Sequence, residues 1–200
     1  MRSIKNNGLY AIIRQDIKSY DGKIIICKGE YCGGNDRCYG LFELNNKEQP
    51  IIKVAIGTKS AENWFGILVH EYCHFLQWKE QSELWTDFED CSFNIDEIIK
   101  NPKKYKKHLL SLIRLEADCE RRVIKLIKNY QIPFDIDSYV REANCILYKY
   151  AMLYTNNFWP KHTQEVKNSH ELCPNKIHKS YLKYLEIPED LYDIYINSRP

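Results

Sequence analysis

Phe65-Gly66-Ile67-Leu68-Val69-His70-Glu71-Tyr72-Cys73-His74-Phe75-Leu76-Gln77-Trp78 is the stretch on which the reading of this 200-residue chain turns. Histidines aside, Glu71 is the one charged side chain between Glu62 and Lys79. A surface helix would alternate with charges, so the pattern predicts a buried helix. On such a helix His70 and His74 lie about 40° apart around the axis and one turn apart along it. That spacing lets two imidazoles hold one metal ion. Glu71 projects roughly 100° away from His70, toward the place where a water on that ion would sit. Burying a carboxylate is costly unless it is paired or faces a metal or water. The plainer alternative is a core helix whose histidines only make hydrogen bonds.

The run His70-Glu71-Tyr72-Cys73-His74 has the form H-E-x-x-H. Over about residues 58–78 the chain resembles the zinc-metallopeptidase signature of the zincin superfamily. The resemblance implies Zn2+ as cofactor, His70 and His74 as its ligands and Glu71 as general base. The metzincin continuation is not met, because position 77 is Gln where that pattern has Gly, and position 80 is Glu where it has His. A third ligand must therefore come from elsewhere.

Asn101-Pro102 is a good N-cap and first-turn pair, and no Gly or Pro follows it up to Tyr130. On a helical wheel Leu109, Leu112, Ile113, Val123 and Ile127 form an apolar stripe with Glu116 and Glu120 inside it. Arg114, Asp118, Arg121, Lys125 and Lys128 fall on the other face. Two carboxylates on an apolar stripe require a metal, an imidazolium or an ion-pair partner. The arrangement resembles the glutamate-zincin plan. That implies Glu116 as third ligand and Glu120, behind the ligands, as hydrogen-bond acceptor for a ring N–H of His70 or His74. The family usually has Asp at the later position, and the two glutamates could exchange roles. Pairing of both with Arg or Lys at a helix interface is the alternative. Asp87, Glu89, Asp90 and His108 are lesser ligand candidates.

The first sixty residues read as β-rich, with runs Leu9–Arg14, Lys23–Cys27 and Ile51–Ile56 bounded by turn residues. The last of these is a candidate edge strand for main-chain pairing with an extended substrate. Thr58 or Ser60 would cap the motif helix. Residues 79–101 read as a polar connection and Gln131–Asp135 as a break. A third helix is expected over Asp137–Tyr154, capped by Asp137 or Ser138. Short helical stretches follow at Pro174–Leu185 and Pro188–Asn197. The expected fold class is α+β and zincin-like: a mostly antiparallel N-terminal sheet packed on the H-E-x-x-H helix and on a Glu-bearing helix. Residues 1–160 would form that domain, with 161–200 a helical extension packed on it.

A net charge of +2 makes no demand for nucleic acid, and the lysines of 100–107 read as a solvated helix start. The first eight residues are polar and no apolar run nears the ~20 residues of a membrane span. A cytosolic protein is therefore expected. The likeness to small intracellular glutamate-zincins, and to H-E-x-x-H proteins of phage and bacterial genomes, implies a bacterial or phage-infected cytosol. Cys27, Cys32 and Cys38 are spaced C-x4-C-x5-C, without the C-x2-C knuckle of structural zinc sites, and read as free thiols. Cys73 and Cys119 read as small packing residues. The expected activity is zinc-dependent hydrolysis of a peptide or protein substrate. Tyr150, Tyr154 or His162 would serve as oxyanion donor. Hydrolysis of a non-peptide amide, or metal binding without turnover, are the alternatives.

Overall fold

The computed structural model describes residues 8–32, 38–57, 61–92, 100–161 and 163–199. Its elements are α1 (Gly8–Ser19), β1 (Lys23–Cys27), β2 (Gly40–Leu44), β3 (Pro50–Ala55), α2 (Ala61–Lys79), α3 (Glu83–Ser92), α4 (Pro102–Asn129), α5 (Ile136–Asn156), α6 (Gln164–Asn168) and α7 (Glu189–Asn197). Two 3-10 turns, Ser169–Leu172 and Tyr181–Leu185, lie between α6 and α7. The fold class is α+β. The chain divides into two compact units, Met1–Glu80 with Arg122–Phe134, and Gln81–Arg121 with Asp135–Pro200. Among the described residues no helix is long and apolar enough to cross a membrane.

In the first unit, Leu9–Arg14 is helical rather than the expected strand. Leu9, Ile13 and Ile17 recur every four residues, and all three are buried, so the helical period outweighs the local β-branched run. After α1 the chain turns at Asp21 (φ 53°) and Gly22. A Cβ on Gly22 would come within 2.5 Å of the Pro50 carbonyl oxygen, so this turn requires glycine.

The sheet order is β1-β3-β2. β3 runs parallel to β1, with Ile24 opposite Ile52, and antiparallel to β2, with Phe42 opposite Ile52. The sheet is thus mixed rather than mostly antiparallel. The Ile51–Ile56 run falls on β3, which is central and not an edge; among the described residues the edges are β1 and β2. The β2–β3 hairpin closes locally: Asn45 Oδ1 accepts from the backbone N–H groups of Lys47 (2.8 Å) and Gln49 (3.0 Å), and Glu48 takes φ 57°. β3 buries Pro50, Ile52 and Val54 on one face, with Ala55 also buried at its end.

α2 packs on β2 and β3. Trp64, Phe65, Leu68, Val69, Tyr72, Cys73 and Phe75 are buried, in accord with the charge-free run. Phe42 of β2 meets Phe75 and Trp78 at ring separations of 6.2 and 6.1 Å. Asp16 ties α1 to the same helix, accepting from Tyr72 Oη (2.7 Å) and Lys79 Nζ (3.0 Å). Gln81 ends the helix at φ 48°. Arg122, at the start of the α4 turns belonging to this unit, donates to Glu80 (2.7 Å). The proposed caps Thr58 and Ser60 lie outside the described residues.

In the second unit, the expected polar connection contains α3, capped by Ser82 Oγ on the Trp85 N–H (3.2 Å). α4 starts as its sequence predicts, with Asn101 Oδ1 accepting from Lys103 (3.1 Å) and Lys104 (3.2 Å). The cap of α5 is Asp135, which accepts from the Ser138 N–H (3.0 Å), ahead of the two expected caps. Residues 161–200 share one core with α5: Tyr148, Ala151 and Met152 pack with Val166, Cys173, Tyr184, Leu191 and Tyr195. Pro174–Leu185 is helical only over Tyr181–Leu185. The reason is competition for its backbone. Asn144 Nδ2 binds the Pro174 (2.6 Å) and Lys176 (3.1 Å) carbonyls, and Tyr184 Oη accepts from the His178 N–H (3.2 Å).

Candidate metal centre

α2 sets His70 and His74 one turn apart, with Nε2 facing Nε2 at 3.1 Å and ring planes 81° apart. Two zinc–nitrogen bonds of ~2.0–2.1 Å at a tetrahedral angle would hold their nitrogens about 3.3 Å apart. The pair is therefore close to ligand–ligand spacing. His74 is buried, and its Nδ1 lies 2.9 Å from Oε1 of Gln77, a fully buried side chain. An amide oxygen only accepts, so Nδ1 carries the proton and the lone pair sits on Nε2, facing His70. Sequence reasoning missed Gln77. Its signal was an amide at i+3 from His74 in a run otherwise poor in polar residues.

Glu71 is buried on the same helix under β2. A Cβ on Gly40 would run into Glu71 Oε1, and would lie 2.8 Å from Glu71 Cγ and 2.5 Å from Ile67 Cγ2. Strand and carboxylate can approach this closely because residue 40 is glycine. Cys32 lies in electrostatic reach of the carboxylate. Burial first, then Cys38, with Cys27 and Glu71 adding, push its thiol up to about 12.

Among the described residues, His70, His74 and Cys119 form a group that could bind a metal ion, their ligand atoms all within 4.8 Å of one another. Cys119, expected to be a packing residue, is thus a candidate ligand. Glu116, half-buried on α4, is not in that group. Positions 116, 119 and 120 share one helix face, so a wheel cannot choose among them. Glu120 is buried and accepts a short hydrogen bond (2.5 Å) from Tyr139 Oη. The ring partner seen on His74 is Gln77. Of the lesser candidates, Asp87 pairs with Arg114 (2.9 Å), and Glu89 and Asp90 are exposed. His108 packs on Phe88, where burial lowers its pKa. Tyr150 packs edge-on against Trp159, and the Tyr154 ring faces Lys106 Nζ at 5.3 Å. His162 lies outside the described residues.

Imidazole donors with a thiolate or carboxylate suit a borderline-soft divalent ion such as zinc. The Gln77 contact holds His74 in the tautomer that a metal ligand needs. No protein-family model, no curated protein and no solved structure matches the chain.

Proposed function

We propose that the protein is a zinc-dependent hydrolase of the zincin kind, acting on peptide bonds. The observation that carries this reading is the facing His70 and His74 Nε2 pair at 3.1 Å, with the His74 tautomer set by Gln77. His70 and His74 would hold the metal, with Cys119 or Glu116 as a third ligand. When bound, zinc would serve as a Lewis acid toward water and a scissile carbonyl. Glu71 would take the proton of the attacking water on its carboxylate and pass it to the leaving amine nitrogen. Its burial under Gly40 restrains the carboxylate and limits bulk water around it. β2, an edge of the sheet among the described residues and next to that carboxylate, is the strand along which an extended peptide could align.

The sulfur of Cys119 favours a second reading, a metal site that binds without turnover, since thiolates are frequent in structural zinc sites. A non-peptide amide substrate would use the same groups. The separating experiment is turnover against a peptide library with Glu71→Gln as control. The expected result is cleavage by the zinc-loaded protein and a loss of about 10²–10⁴-fold in the variant with metal content unchanged. Cleavage that survives Glu71→Gln would reject the proposed base. Full metal loading with no cleavage would favour the second reading.

A further inference from the structure

We propose that Cys32 and Cys38 are a reversible redox pair whose disulfide pins the chain just before β2, the strand covering Glu71. The two sulfurs lie 3.9 Å apart. The Cys32 backbone N–H donates to the Cys38 carbonyl at 2.9 Å, so the two main chains already meet as neighbouring strands do. A disulfide requires neighbouring backbones, and this hydrogen bond holds the two together. Both residues are half-buried rather than sealed in the core, so a small oxidant can reach them. Gly40, two residues past Cys38, is a point where β2 comes so near Glu71 that a Cβ would run into it. A covalent tie at 32–38 therefore acts on the backbone next to that carboxylate.

The chemistry balances with a low-molecular-weight disulfide as oxidant. The Cys38 thiolate attacks glutathione disulfide, forming a mixed disulfide and releasing one glutathione thiolate. Cys32, the proton-bearing partner, then loses its proton and attacks Cys38 Sγ. The protein disulfide forms and a second glutathione leaves. Two protein thiols are oxidised and one glutathione disulfide is reduced to two thiols. The second sulfur carries the first only a short way, so no movement of distant elements is needed. No metal enters these steps, so failure of the hydrolase proposal leaves them untouched.

The test uses the full, metal-stripped protein in graded ratios of reduced to oxidised glutathione, quenched by alkylation. Trypsin cuts after Lys28, Arg37 and Lys47, which places Cys32 in 29–37 and Cys38 in 38–47. The expected result is a reversible cross-link between those two peptides, absent from Cys38→Ser. Amide exchange over 40–44 should also slow in the oxidised form. A predominant cross-link to Cys27, or no 29–37 to 38–47 cross-link at any ratio while the protein remains folded by circular dichroism, would overturn the pair. Unchanged exchange over 40–44 in the cross-linked protein would overturn the pinning of β2.

Discussion

Both units bury polar side chains, but they use them differently. Around Asn144 in the second unit each polar atom meets one of opposite role. Asn144 Nδ2 donates to two carbonyls, its Oδ1 accepts from Tyr184 Oη (2.6 Å), and that hydroxyl accepts from the His178 N–H. Tyr148 Oη and His178 Nε2 share a further hydrogen bond (2.9 Å). In the first unit, His70 Nε2 and His74 Nε2 share a 3.1 Å hydrogen bond, in which a single proton occupies the place a bridging cation could take. A network of matched partners holds a fold together. Two converging ring nitrogens gain most from a cation placed between them. On the proposed reading α2 carries the metal site, and α5 with its extension is scaffold.

The sharpest way to break that contrast is to remove the ligands. His70→Ala and His74→Ala should each abolish stoichiometric zinc binding, read by metal analysis after dialysis, while the fold persists. Cys119→Ser and Glu116→Gln then identify the third ligand. The group seen here predicts the larger loss for Cys119→Ser, and the reverse order would restore the glutamate-zincin arrangement. Next in size is Asn144→Ala. It removes the partner of two backbone carbonyls and of the buried Tyr184 hydroxyl, and should cost about 3 kcal/mol of unfolding free energy with zinc affinity unchanged. A drop in zinc affinity in this variant would erase the distinction between scaffold and site.

Gln77→Leu should do the opposite, preserving stability while weakening zinc binding about 10–100-fold, because it frees the tautomer of His74. Equal affinity in Gln77→Leu would show that the amide only fills space. The smallest effect concerns pH. Burial, aided by Lys183, lowers the pKa of His178 below its ordinary 6.5. The unfolded chain then binds protons more readily, so this stabilisation is complete above pH 6.5 and is lost as pH falls below it. Urea midpoints should fall more between pH 7.5 and about 5.5 in the native chain than in His178→Gln. Equal slopes would remove His178 from the account.

How far the sequence could be read follows from the range of each interaction. The spacing of His70 and His74 is a property of a single helix, so it was readable, as were the start of α4 at Asn101 and the break at Gln131 (φ 48°). α1 was misread because Ile12-Ile13 drew attention to a local β preference, while Leu9, Ile13 and Ile17 carried the longer period. β3 was recognised as a strand, but its central place depends on β1, some 25 residues away, and pairing across that distance leaves no local mark. Gln77 was passed over because an uncharged amide carries no obvious demand for a partner. Cys119 was passed over because a thiol packs equally well as a small apolar group.

In the proposed site one zinc ion would sit between His70 and His74. The most direct measurement is an anomalous difference map at the zinc edge, on crystals grown from zinc-loaded protein. The account predicts a single strong peak at ~2.0–2.1 Å from both Nε2 atoms. The same map would show whether Cys119 or Glu116 completes the site. No peak at that pair, with zinc bound elsewhere or nowhere, would contradict the account.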